Sequence, residues 1–443
     1  MGRAYSRAEI RPNGAPARPV SSLAPTCESS SNRIQKLCGL LLACFWLALA
    51  VSAQTPPVRF LSKTGATLRL NGKEYRAIGV NIPHLHQAYL GTWLHIPEIY
   101  GTPEKARQAI LDALDDAQRS KVAFIRFFAA PGYPRDTEML YARKPEEYWK
   151  QMDDLFAQCR RRGLRLIPSL QTLHGWYLYC GENAQAILDP NSKTYRATHQ
   201  YIREFVTRYK DDPTVLLWEL ENEAMLAADV DLAGRSLPGK GVYPPGMVAR
   251  EQGVREDSLT WEMTLRLYRE HTAFIKRLDP NHLVTSGDAS VRPECSSRRE
   301  TFPDFKYRND TLREWLANNL ASQPEPLDVF SFHFYGSPNN AEPWSLWKLT
   351  ADDLLRSLAR AVHAARIPLF IGELGQTKPD FKEDREGRWT GAAIDSLEQE
   401  GVSLAALWVW HFPWQPELTV DSTSHPKLVK RIDDFNRKHA GLK

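Results

Sequence analysis

Two kinds of segment alternate along the chain. Short apolar runs end in polar residues, and longer segments with apolar residues at helical spacing follow them. The runs are YRAIGVN (75–81), VAFIRFF (122–128), LRLIPSL (164–170), TVLLWEL (214–220), HLVTSG (282–287), LDVFSFHF (327–334), IPLFIGE (367–373) and VSLAALWVW (402–410). Helical patterns lie between them, at 103–120, 145–162, 195–210, 258–278, 350–366 and 385–400. Gly163 and Gly401 sit where helix-ending glycines belong.

Eight strands alternating with helices predict a closed parallel (β/α)8 TIM barrel. An open doubly wound sheet is the alternative. No glycine-rich phosphate loop follows the first strand, which weakens a nucleotide-binding version of it. Residues 58–79 alternate apolar and polar around Thr64-Gly65 and Asn71-Gly72, the pattern of a short hairpin capping the barrel bottom. Two insertions, Ala224–Asp257 and Asp288–Arg308, follow strands and so belong to the C-terminal face.

Residues 37–51, LCGLLLACFWLALAV, break this rhythm. Arg33 and Lys36 precede the run, and Val51, Ser52 and Ala53 follow it. A basic flank, an apolar core too short for a membrane span and a small-x-small site predict a secretory signal cleaved after Ala53. Its n-region is long, as an upstream start codon would make it. A lipoprotein site at Cys44 is disfavoured by Leu42. The expected organisation is a leader over 1–53 and one barrel domain over 57–443, secreted and free of the membrane.

Removing that leader changes the charge. It takes away six basic residues (Arg3, Arg7, Arg11, Arg18, Arg33, Lys36) and two acidic ones (Glu9, Glu28), leaving 51 of each sign. The remaining chain has no basic excess to suit nucleic acid or an anionic surface. Three cysteines survive, Cys159, Cys180 and Cys295, without metal-ligand spacing. Cys180 and Cys295 both follow strands, so an oxidising compartment makes a bridge between them an expectation, with three free thiols as the alternative. No cofactor or metal ion is expected. His84 and His86 lack a third ligand and fit sugar contacts or loop packing better.

In a barrel the chemistry sits where strands end. Strand two ends near Arg126, strand four with Asn222 and Glu223, strand six with His333 and Tyr335, strand seven with Glu373, and strand eight with Trp408 and Trp410. Two carboxyl groups with an arginine, an amide, a histidine, a phenol and indoles suit glycosidic bond cleavage, where one carboxyl donates a proton and the other is nucleophile or base. Glu219 reads as a barrel-interior carboxylate paired with a base. A regular strand would put Glu219, Glu221 and Glu223 on one side. One strand-eight tryptophan is expected beneath the reacting sugar and the other in the core. Trp176, Tyr177 and Tyr179 are candidate outer platforms.

These motifs together resemble glycoside hydrolase family 5, over about residues 60–413. WELENEA resembles the family's strand-four Asn-Glu motif, LFIGELG its strand-seven motif, FSFHFYG its strand-six His-x-Tyr, and FIRFF supplies its strand-two Arg. The resemblance implies Glu223 as acid/base and Glu373 as nucleophile, held ionised by Arg126 and Tyr335. It implies Asn222 on the sugar 2-hydroxyl, with His333 and the tryptophans as further sugar contacts. The family more often carries a small or apolar residue at Glu221. It often has a histidine after strand three, where this chain offers Gln171 and His174. WELENEA is close to the WELANEP type of β-mannanases. The expected function is therefore a retaining endo-β-1,4-glycanase acting on mannan before cellulose-like glucan, as a monomer on polysaccharide or oligosaccharide. A carbohydrate-binding pseudoenzyme or a transglycosylase on the same barrel is the alternative.

Overall fold

In a computed structural model of the chain, residues 60–130, 140–170, 176–235, 252–304, 306–336, 344–376, 384 and 386–442 are described. The leader, Gln171, His174 and much of the first insertion lie outside them. Among the described residues there are eleven strands. β1 (Leu61–Thr64), β2 (Thr67–Leu70) and β3 (Lys73–Glu74) make a small antiparallel sheet. β4 (Ala77–Asn81), β5 (Phe124–Phe128), β6 (Arg165–Ser169), β7 (Trp218–Glu219), β8 (Val284–Thr285), β9 (Phe330–Tyr335), β10 (Leu369–Gly375) and β11 (Leu404–Leu407) come one from each apolar run. These eight are parallel, in the order β8-β7-β6-β5-β4-β11-β10-β9. The two ends meet through a parallel bridge between Thr285 and Val329, where the Thr285 hydroxyl also donates to the Val329 carbonyl at 2.9 Å. The result is a closed barrel.

The helices start where their first residues allow. Pro103 and Pro145 open two of them, at the position where a missing N–H costs nothing. Thr102 caps the first by accepting from the Lys105 N–H at 3.3 Å. Thr350 and Asp353 form a reciprocal capping box before Ala351–Ala364. Gly163 and Gly401 both lie at positive φ, 68° and 73°, directly after helices.

Apolar side chains fill two layers. One lies between the strands and the ring of helices. The other fills the barrel's lower interior, where Phe124, Ile167, Leu217, Phe370 and Leu404 meet Leu61 and Leu68 from the small sheet. The small sheet thus plugs the barrel bottom. It has one strand more than a hairpin, because Asn71 and Gly72 both take positive φ, 54° and 73°, and this tight turn adds β3. With its lower end packed shut, the barrel offers its polar chemistry at the other end. No helix of the described residues is long and apolar enough to cross a membrane.

Candidate active site

Arg126 organises the upper interior. It sits on β5 with no exposed surface. Its Nε donates to both oxygens of Glu219, at 3.0 and 2.8 Å. Nη1 donates to Asn81 Oδ1 at 3.0 Å and to Glu373 Oε1 at 2.9 Å, and Nη2 to Asn222 Oδ1 at 2.7 Å. A guanidinium fork can serve several acceptors at once, and burial is tolerable because the charge is paired. One guanidinium is thus shared between two carboxyl groups. Glu219 is therefore the paired interior carboxylate that the sequence predicts.

Asn81 is the member that the sequence reading missed. Its amide donates to the carbonyls of Gly372 at 2.9 Å and Ala406 at 3.2 Å, tying β4 to β10 and β11 while its oxygen holds Arg126. The available signal was a polar residue ending the first apolar run.

Glu223 reaches the site by leaving the strand. β7 ends at Glu219, and Glu223 lies at φ 58°, in the left-handed region. A residue other than glycine there costs about 1–3 kcal/mol. The turn is held by the Glu223 N–H donating to the Gly287 carbonyl at 3.1 Å and by the Met225 N–H donating to Asp288 Oδ1 at 2.9 Å. The alternation expected of a regular strand therefore stops, and Glu221 is fully buried instead. Gly287 is required here: its φ is 81°, and a Cβ would come within 1.8 Å of the Glu221 carbonyl oxygen.

His333 joins the two catalytic candidates. Its Nδ1 lies 2.8 Å from Glu223 Oε1 and 3.5 Å from Glu373 Oε1. Burial lowers its pKa to about 4, so at pH 7 the ring is neutral. Its Nε2 is buried without a hydrogen-bond partner, so the Nδ1–H tautomer leaves a lone pair rather than a donor unmatched. The ring fits because β10 has Gly372 beside it, where a Cβ would stand 2.9 Å from Nε2. The Tyr335 hydroxyl donates a short hydrogen bond to Glu373 Oε2.

Both glutamates have raised pKa values. Burial is the first cause for each. Arg126 opposes the rise at Glu223. At Glu373 the charge of Glu223 adds to burial, while His333 when charged, Arg126 and the Tyr335 hydrogen bond oppose it. With His333 neutral, Arg126 and Tyr335 are the opposing groups at pH 7. They offset the desolvation of Glu373 only in part, because Arg126 is shared with Glu219. Glu223, with a third of its side chain exposed, can meet a leaving group or water, whereas Glu373 is almost enclosed.

Glu223, His333 and Glu373 each offer a ligand atom within 4.8 Å of the others. Among the described residues this is the one group that could hold a metal ion. Its donors are already engaged with one another, and Arg126 stands 2.9 Å from Glu373, where it would repel a cation. The set suits proton transfer between two close carboxyl groups better.

The aromatic candidates separate. Trp408 stays partly exposed, with its Nε1 donating to Gln415 Oε1 at 3.0 Å, and its Cβ lies beside Gly375 and Tyr335. Trp410 is core and not a sugar contact: it is wholly buried, and its Nε1 donates to the Ala113 carbonyl of the first barrel helix at 3.2 Å. Trp176 is not a platform either. It is 4% exposed and packs among Tyr141, Tyr179 and Tyr201. His84 is packed by Trp93 and Phe412 and bonded to the Tyr100 hydroxyl at 3.2 Å, and His86 is buried; burial lowers both pKa values to about 3. The expected Cys180–Cys295 bridge does not form: none of Cys159, Cys180 and Cys295 is in a disulfide. Cys295 instead lines a small cavity with Met225, Trp261 and Arg298, and burial pushes its thiol up to about 12.

Several known proteins are similar to this chain in sequence or fold. Mannan endo-1,4-beta-mannosidase F of Aspergillus fumigatus is 27% identical over 272 residues, 58% of this chain and 51% of its own length. Mannan endo-1,4-beta-mannosidase 3 of Arabidopsis thaliana is 24% identical over 385 residues, 80% of this chain and 81% of its own. The chain spans about half the length of the Aspergillus relatives that it matches. The fold is similar to the solved endo-1,4-beta-mannanase from Rhizomucor miehei, with a TM-score of 0.55 at 16% identity over 85% of this chain and 99% of that one. It is also similar to an exo-beta-1,4-mannosidase from Opitutaceae bacterium strain TAV5, with a TM-score of 0.54 at 16% identity, covering 85% and 62%. The model of the cellulase family, glycosyl hydrolase family 5, matches residues 94–412, most of the barrel with both glutamates, and the chain belongs to that family.

Proposed function

We propose that the chain is a secreted retaining glycoside hydrolase that cuts β-1,4-linked mannan internally. The observation that carries the reading is one neutral histidine beside two carboxyl groups, one half-buried and one enclosed, whose oxygens approach within 4.8 Å. Such closeness suits a double displacement, because an inverting enzyme needs room for a water between its carboxyl groups. The relatives' names favour mannan over cellulose-like glucan. The apolar run at 37–51 supports export.

Glu373 attacks the anomeric carbon from below, and Tyr335 and Arg126 hold its oxygens in place. Glu223, whose pKa is raised by burial, donates to the leaving-group oxygen and later takes a proton from the incoming water. Arg126 fixes the oxygen of Asn222, which turns the amide N–H₂ outward as a donor for the sugar 2-hydroxyl. Trp408 offers a face beneath the reacting sugar.

The test is the purified chain assayed on mannan, glucan and xylan, with product sizes followed in time. Internal cutting of mannan is expected, with little turnover of the other two. With Glu223→Ala, azide should restore activity on substrates with good leaving groups, since the anion needs no base; with Glu373→Ala it should not yield β-linked product. A reversed rescue pattern would exchange the two roles.

A further inference from the structure

Loops after β4 and β11 stand side by side on the catalytic face. They carry a row of aromatic rings that leads away from the reacting sugar. Trp408 begins it. Phe412 packs at 6.4 Å from Trp408, Trp93 at 6.1 Å from Phe412, and His95 at 5.2 Å from Trp93, measured between ring centres. His95 then stacks on Trp414, with ring centres 3.5 Å apart and planes 25° apart. Trp414 is nevertheless 49% exposed. His95 covers one indole face, and about half of the residue's surface stays exposed.

The indole is built in rather than left over. Its neighbour Gln415 accepts from Trp408 Nε1 at 3.0 Å, so the platform beneath the reacting sugar and the exposed indole are fixed to one another. The turn between them is closed by the Gln415 N–H donating to the Phe412 carbonyl at 3.0 Å. Thr419 clamps it further: its hydroxyl accepts from the Phe412 N–H at 3.1 Å and donates to the Phe412 carbonyl at 2.7 Å. A fixed aromatic face loses little freedom on binding. A pyranose presents axial C–H groups to such a face, and the ring's negative quadrupole attracts them.

The direction of the chain follows from the acid. Glu223 protonates the leaving group, so the aglycone departs on the side of β7. In the ring, β4 and β11 stand across the barrel from β7 and β8. The wall opposite the acid must hold the sugars that stay on the enzyme.

We infer that Trp414, backed by His95, forms an outer glycone-side subsite that stacks a sugar of the bound β-linked chain beyond the one at Trp408. The inference rests on the proposed hydrolysis of a β-1,4-glycan. His95 acts here as a positioning residue, holding the indole at its angle.

The experiment compares chain lengths. For Trp414→Ala, the ratio of kcat/KM on mannohexaose to that on an aryl mannoside, which fills only the site at Trp408, should fall about 10-fold, the size of one lost stacking contact. His95→Ala should lower the ratio less, and His95→Phe, which keeps a flat ring, should return it towards wild type. An unchanged ratio in Trp414→Ala would overturn the subsite. A second arm needs no turnover: the inactive Glu373→Ala chain is run through native gels containing mannan, glucan or xylan, with and without Trp414→Ala. Weaker retardation on whichever glycan binds supports the platform, even if that glycan is not mannan and the substrate assignment fails. Retardation that is equal with and without Trp414→Ala overturns it, whatever the substrate.

Discussion

Arg126 can be tested so that geometry and charge separate. Arg126→Lys keeps the charge but loses the fork. One ammonium cannot serve Glu219, Glu373, Asn81 and Asn222, which the guanidinium reaches at 2.7–3.0 Å. An ammonium placed between the two glutamates loses at least both asparagines. A hydrogen bond involving a charged group is worth about 1.5–3 kcal/mol, so the folded state should lose about 3–6 kcal/mol. Asn222 and Glu373 would also drift, and a displacement near 1 Å costs about 100-fold in rate. Arg126→Met loses geometry and charge together. Arg126 is one of the groups that hold the Glu373 pKa down against burial. Without it that pKa rises further, and the nucleophile is protonated at a higher pH. The assay is kcat/KM against pH on a mannan oligosaccharide, with thermal unfolding followed in parallel. We expect Arg126→Lys to fall by about 100-fold with its acid limb near wild type, and Arg126→Met to fall further with its acid limb moved to higher pH. Wild-type rates in Arg126→Lys, or an unmoved acid limb in a folded Arg126→Met, would refute the reasoning.

Two further outcomes are expected. Gly372→Ala puts a Cβ 2.9 Å from His333 Nε2, so the ring must shift off Glu223; kcat should drop about 10- to 100-fold while the fold survives, and an unaltered kcat in a folded variant would show that His333 does not need its place. Asp288 is buried between the Tyr268 hydroxyl and the Met225 N–H, and burial pushes its carboxyl up to about 7. Its folded pKa lies above the unfolded value near 3.9, so its contribution to stability falls as pH rises from about 4 to about 7. Asp288→Asn removes that fall, and the melting temperature of the variant relative to wild type should climb across this window; a flat difference would mean that Asp288 does not titrate there.

The sequence by itself determined the architecture. Eight apolar runs alternating with helical patterns specify the barrel, since strands buried on both faces need continuous apolar residues and a parallel neighbour needs a crossover helix. Glu223, Glu373, Arg126, His333 and Tyr335 were legible because barrel chemistry gathers where strands end, and the order of the motifs fixed which strand each ended. The tertiary structure decided what depends on neighbours remote in the chain. Trp408 and Trp410 have the same local pattern, yet only packing against the Ala113 carbonyl makes Trp410 core. Trp176 looks like a platform until Tyr141 and Tyr201 enclose it. The left-handed turn at Glu223, which breaks the alternation, is held by Gly287 and Asp288 from the loop after the next strand. The lack of a Cys180–Cys295 disulfide and the three-way grip of Asn81 also depend on groups far away in sequence. Periodicity tells which side of an element faces the core. It carries no term for which distant atom will be found there.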